Sequence, residues 1–187
     1  MTAPERPTRE RILDAAAAVM REQGLGSASV KAIAAEAGCS PALLYKYFDD
    51  QQAIYLGVLT ERLGGMSIVP DGPAGETREQ LAAIVERLMA FYTSSFPMSA
   101  GIFSTPELLR TWREGLDAKG VGGPQSLLLA VAAFIRERLP GVDADAVAAL
   151  LVGAAFQAAF LACFEGLRAV PDASSKAKSL VAAVVPA

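Results

Sequence analysis

Tyr45, Lys46 and Tyr47 stand in a row, preceded by Ser40, Pro41, Ala42 and Leu43 and followed shortly by Gln51; Ser29 and Lys31 lie a little upstream. Phenols, hydroxyls, an amide and ammonium groups in this density are hydrogen-bond donors suited to phosphate oxygens and base edges. The same chain is poorly equipped for catalysis. It has no histidine and only two cysteines, Cys39 and Cys163, far apart in sequence. The usual general base and the commonest transition-metal ligand are therefore missing, and Ser-His-Asp or Cys-His chemistry is excluded in its usual form. Each cysteine reads as structural. Acid–base neighbours such as Glu107 and Arg110 have only the i, i+3 spacing of a helix surface. No catalytic residue, metal site or cofactor is expected.

Charge limits how nucleic acid could be held. The net charge is −3, and the first fifty residues carry six basic side chains against seven acidic ones. Binding to DNA must then rest on a few placed cations and donors, not on a broad positive field.

The elements that position these residues read as helices. Thr8 opens a helix to about residue 23, with Ile12, Leu13, Ala16, Val19 and Met20 as its apolar stripe and Gly24 as its stop. Ser29 caps a short helix from Val30 to Ala37, ended by Gly38. Ser40 caps a third, with Pro41 at its first position, where a missing N–H costs nothing. Asp49 and Asp50 open a fourth, which carries Ile54, Val58, Leu59 and Leu63. Two short helices around Gly38, Cys39 and Ser40 make a helix-turn-helix, with Ile33, Ala37, Leu44 and Phe48 inward and the last helix shaped for a major groove.

The segment Val30 to Phe48 resembles the DNA-binding head of the TetR family of bacterial regulators. The family pattern stands here as Ile33-Ala34, Ala37-Gly38-Cys39-Ser40, Ala42, Leu44-Tyr45 and Tyr47-Phe48. The resemblance covers residues 8 to 63. It implies that Ser29 and Lys31 meet DNA from the start of the second helix. It also implies that Ser40, Pro41, Ala42, Leu43 and Lys46 face bases or nearby phosphates, and that Tyr45 and Tyr47 donate to phosphates. The family's lysine at the start of the fourth helix is Gln51 here, which brings a donor but no charge, and its frequent glycine at position 42 is Ala42. Phosphate affinity is then lower, or Arg6 and Arg9 of the N-terminal arm supply the missing cation.

Glycines and prolines between residues 64 and 75 mark a loop and the expected boundary between a head, 1–63, and a body, 76–187. The body reads as helices at about 76–96, 106–118, 125–139 and 143–167, with a shorter one near 174–184. The fold class is all-α: a helix-turn-helix head and a helical-bundle body. By resemblance the body holds a small, largely apolar ligand, with Phe91, Tyr92, Phe103, Trp112, Arg113 and Gln157 as candidate lining; no spacing selects among them. The helix at 143–167 is apolar around most of its circumference. That suits either a central core helix or one shared with a second copy, and the resemblance implies a homodimer.

The expected function is a DNA-binding regulator, a repressor released from double-stranded operator DNA by a small apolar molecule. An activator or a ligand-independent regulator of the same fold is the alternative. A small helical ligand carrier or enzyme is more remote. The apolar stretches read as shorter than about 18 residues between charges or breaks, so no membrane partner is expected, and the start of the chain has no apolar signal region. A cytoplasmic protein follows as the expectation.

Overall fold

The computed structural model describes residues 8–63, 68–69, 76–120 and 122–185. Arg6 and all of the expected boundary loop except residues 68 and 69 lie outside the described residues. Within them there are nine α-helices and no strand: α1 Thr8–Gln23, α2 Val30–Glu36, α3 Pro41–Leu44, α4 Gln51–Val58, α5 Thr77–Phe103, α6 Pro106–Lys119, α7 Gln125–Arg138, α8 Ala144–Phe164 and α9 Ala173–Val184. A single 3₁₀ turn, Leu25–Ser27, follows α1, and α4 runs on into a π-helical turn, Leu59–Leu63.

The chain forms two compact units that interleave along the sequence, 1–66 with 97–123 and 67–96 with 124–187. This departs from the expected division at 64–75, because residues 97–123 belong with the head. The reason is in the head's core. Ile12, Leu13 and Met20 of α1, Ile33 of α2, Leu44 of α3 and Ile54 of α4 are joined there by Met98 and Ile102 from the last turns of α5 and by Leu108 of α6. Two glycines permit the closest approaches. A Cβ on Gly57 would lie 2.8 Å from Cδ2 of Leu13, and one on Gly101 would lie 2.5 Å from Cβ of Leu25.

The second unit is built on Leu81, Ile84, Val85 and Leu88 of α5, Val131 and Ile135 of α7, and Val181 of α9. Against them α8 turns Leu151 together with Ala148, Ala155, Ala159 and Ala162, four small residues on one face that let neighbouring helices come close.

Two expectations are corrected here. First, α5 does not end at residue 96 but passes through Pro97 to Phe103. A proline inside a helix has no N–H for the carbonyl four residues back, which is that of Thr93; the thiol of Cys163 is turned to this oxygen instead. Second, from Ala146 to Phe164 no charged residue interrupts α8, and by length and composition α8 is long and apolar enough to cross a membrane. Asp145 is its last charge, and the helix then runs unbroken to Phe164. One side of α8 is nonetheless occupied as core of the second unit.

Candidate nucleic-acid interface

The helix-turn-helix forms as its sequence requires. Ser29 caps α2, its Oγ accepting from the backbone N–H of Ala32 at 3.2 Å. Gly38 carries the chain through a left-handed turn, φ 65°, which a Cβ would oppose. Ile33, Ala34, Ala37, Leu44 and Phe48 are all buried. The second helix of the motif, α3, is a single α-turn; beyond it Lys46 and Tyr47 donate to the carbonyls of Leu43 and Leu44 by i, i+3 bonds. This tighter winding leaves Pro41, Ala42, Tyr45, Lys46 and Tyr47 exposed together, with Tyr45 55% and Tyr47 44% accessible. Leu43 is half-buried, so it offers an edge of its side chain rather than all of it. Ser40 stands at the cap position of α3 without a capping bond from its side chain, so its hydroxyl remains usable. Ser29 and Lys31 are exposed at the start of α2.

Gln51 differs from its expected role. Its Nε2 donates to the carbonyl of Ala28 at 3.0 Å and to the hydroxyl of Tyr55. Both amide hydrogens are therefore used inside the head, and no donor is left for a phosphate. Tyr55, which no motif marks, donates its own hydroxyl to the Ala28 carbonyl at 2.5 Å. The signal for this contact is only the i, i+4 spacing of Gln51 and Tyr55 on α4.

The cations are also sorted by structure. Arg9 forms a two-pronged pair with Glu61, 2.8 Å on each arm, and lies 5.3 Å above the ring of Phe48. Glu61 accepts in addition from Lys119 Nζ at 2.8 Å. The Arg9 hydrogen bond, helped by that of Lys119, holds the Glu61 carboxyl down at about 2 in spite of its partial burial. Arg62 reaches back to Asp14 at 2.8 Å and to Glu10, and Arg11 donates to the Ala37 carbonyl. Lys31 and Lys46 pair with no other described residue. Arg9 is thus engaged within the head and is not the spare cation expected of the arm; Arg6 lies outside the described residues.

The six residues expected around a ligand divide between the units. Phe91 and Tyr92 lie in the second, with ring centroids 5.4 Å apart, and Tyr92 meets Phe156 edge-on at 5.3 Å. Gln157 lies in the same unit and is exposed. Phe103, Trp112 and Arg113 belong to the first unit, where Trp112 packs against the head's core and its buried Nε1 has no hydrogen-bond partner. A cleft of about 510 Å³ in this first unit is lined by Arg9, Phe48, Leu56, Thr60, Glu61 and Lys119 among others, and by none of the six. The aromatic contacts of the second unit continue through Phe96 and Phe160 to Phe164, at centroid distances of 5.6 and 6.5 Å.

Comparison with known proteins agrees with this geometry. Residues 12–58 match the model of the bacterial regulatory proteins of the tetR family. An uncharacterized HTH-type transcriptional regulator of Mycobacterium tuberculosis is 33% identical over 99 residues, 51% of this chain and 48% of that protein. The HTH-type transcriptional regulator UidR of Escherichia coli K12 is 38% identical over 61 residues, 33% of this chain and 31% of UidR. The chain thus spans about half the length of the first relative it matches, and less of the second. In fold, it is similar to a transcriptional regulator from Rhodococcus sp. Rha1, with a TM-score of 0.71 at 18% identity over 96% of both chains. It is similar as well to FadR of Bacillus subtilis, solved in complex with stearoyl-CoA, with a TM-score of 0.63 at 18% identity over 94% of this chain and 97% of that one. The matched residues fall on the helix-turn-helix itself, so the head of this chain, residues 12–58, is that of the tetR family of bacterial regulatory proteins.

Proposed function

We propose that this protein is a homodimeric transcriptional regulator that grips operator DNA with α2 and α3 and is released by a small molecule with a substantial apolar part. The observation that carries the DNA half is the outer row of α3 and its following turns. Pro41, Ala42, Tyr45, Lys46 and Tyr47 stand exposed over a wholly buried inner row, although two aromatic rings are costly to leave in water without a use. Ser29, Lys31 and Ser40 flank them as further donors, and Leu43 offers an apolar edge to a thymine methyl.

The dimer half is supported by α8. Its outer face presents Leu150, Gly153, Phe160, Leu161 and Phe164, with Phe164 81% exposed. A row of this kind at helical spacing is an interface pattern, and a second copy supplies the symmetric partner that two successive major grooves demand. The ligand half rests on the aromatic contacts around Phe91, Tyr92 and Phe156, which suit an apolar chain. The fold neighbour solved with stearoyl-CoA makes long-chain acyl thioesters the first compounds to try. The relatives reported above are regulators, and the reading assigns no catalytic residue, metal or cofactor.

One experiment tests all three parts. Fragments of the source genome are selected on the purified protein, the selected site is titrated against a scrambled duplex, and acyl-CoA thioesters and free fatty acids are then added. The expected result is preference for one palindromic site and its loss in the presence of one class of compound. Equal binding to selected and scrambled DNA would end the operator reading. Selective binding that no added compound alters would end the ligand half alone. Trp112 emission is followed alongside, as a reporter of the head against which it packs.

A further inference from the structure

We infer that Gln51 and Tyr55 are positioning residues for DNA reading, tying the start of α2 to the start of α4 through the single carbonyl of Ala28. The inference rests on the DNA-binding reading above and gives these two residues their part in it.

The hydrogen bonds close a triangle. Tyr55 donates to the Ala28 carbonyl at 2.5 Å, Gln51 Nε2 donates to the same oxygen at 3.0 Å, and the second amide hydrogen of Gln51 goes to the Tyr55 oxygen. Both lone pairs of the carbonyl, both amide hydrogens and the phenol proton are consumed. Ala28 is fully buried and Tyr55 nearly so, which strengthens each bond by excluding water. Burial also pushes the Tyr55 phenol up, so it stays a proton donor throughout the neutral range.

Position in the chain gives the triangle its consequence. Ala28 directly precedes Ser29, the residue whose Oγ caps α2, and Lys31 follows two residues on. Gln51 is the first residue of α4, just after its cap Asp50, whose Oδ1 accepts from Ala53 at 2.7 Å. The two helix starts are therefore set in register by side chains and not by loop backbone alone. Ser29 and Lys31 are held where a phosphate can meet them. A lysine in place of Gln51 would bring a charge but would undo this register, because an ammonium cannot accept or donate in the same flat pattern.

The test uses the full chain with Gln51→Met, Tyr55→Phe, the double variant and Gln51→Lys, each titrated on operator over a salt series. Each single variant is expected to weaken binding about tenfold, at a temperature where circular dichroism shows it folded, with the log–log salt slope unchanged. The double variant is expected to be little worse than the weaker single, since either change opens the same triangle. Gln51→Lys is expected to weaken binding too; a direct phosphate contact would instead tighten it and steepen the slope by about 1 per subunit. Amide exchange at Ala32 and Ile33 is expected to accelerate in the variants, with or without DNA. In the wild type the two side-chain amide protons of Gln51 are expected to exchange slowly, a reading that needs no variant to fold. Rapid exchange there, or folded variants that bind as wild type does, overturns the inference. Failure of the wild type to select any DNA would strike the DNA-binding reading while the exchange results still judge the tie.

Discussion

The thiol of Cys163 reaches the carbonyl oxygen of Thr93 across 3.7 Å, joining α8 to α5 at the one place where α5 has no backbone donor of its own to offer. Burial pushes the Cys163 thiol up, so it stays protonated and able to donate. Cys163→Ala is expected to cost about 1 kcal/mol, the order of one hydrogen bond left unmade in a half-buried place. In a Pro97→Ala background, where residue 97 regains its N–H, the same change is expected to cost clearly less. A denaturant double-mutant cycle measures this; equal costs in both backgrounds would show that the thiol does nothing for the interrupted helix.

Glu61 gives the head a pH signature. Its folded carboxyl lies at about 2 against an ordinary 4.5, the Arg9 hydrogen bond being the largest cause. A lowered value stabilises the fold fully above about pH 4.5 and loses that contribution as the pH falls toward 2. Glu61→Gln is therefore expected to cost about 1–2 kcal/mol at pH 7, discounted for the pair's contact with solvent, and to match the wild type near pH 2. Thermal unfolding followed from pH 7 downward checks the convergence, and curves that stay parallel would refute it.

On DNA, Lys31 and Lys46 are the cations of the helix-turn-helix without a described partner, so a dimer is expected to neutralise about four phosphates, with a log–log salt slope near −4. Had Arg9 been available the slope would lie near −5 or −6. Glu61→Gln, which releases Arg9 from its carboxylate, is expected to move it in that direction. A wild-type slope steeper than about −9 would mean that a larger basic surface is at work.

Tyr45→Phe removes one exposed hydroxyl and is expected to weaken selected and scrambled DNA alike, as a phosphate contact should. Lys46→Ala or Leu43→Ala should alter base preference instead. Paired titrations on the two duplexes separate these outcomes; a Tyr45→Phe variant that loses only the selected site would move the tyrosine from phosphate to base.

Dimerisation is expected to respond to Gly153→Arg, which places an arginine on the open face of α8 where nothing lies within 4 Å of a new Cβ. The expected product is a folded monomer with weakened operator binding, seen by sedimentation. Ala158→Arg should behave differently, since Ala158 packs against the core of its own unit; misfolding is expected there. A Gly153→Arg protein that still sediments as a dimer would take α8 out of the interface.

What the sequence shows and hides follows the range of each interaction. The helix-turn-helix is legible because its determinants are local: the Ser29 cap, the Gly38 turn and the alternation of Ile33, Ala37, Leu44 and Phe48 all lie within twenty residues. Pro97 misleads because the group that answers the carbonyl it leaves open, Cys163, is 70 residues from that carbonyl's Thr93. Trp112 reads as pocket lining from its chemistry alone, yet its neighbours are the head's core residues, brought there by the return of residues 97–123 to the first unit. Gln51 is chemically able to meet a phosphate; only the placement of Ala28 and Tyr55 shows that its hydrogens are already spent.

The π-helical turn at Leu59–Leu63 makes the length of α4's extension a matter of angle. Such a turn is an α-helix with one residue too many. Removing a single residue between Leu59 and Leu63 would restore regular winding and swing everything beyond it by about 100°, the arc of one helical residue. Glu61 faces Arg9 and Lys119, and Arg62 faces Asp14 and Glu10, only because that extra residue is present. Substitutions there would weaken one pairing at a time, whereas a one-residue deletion would detach α1 and α6 together. Among diverging copies of this chain, the count of residues in that stretch should therefore stay fixed longer than their identities.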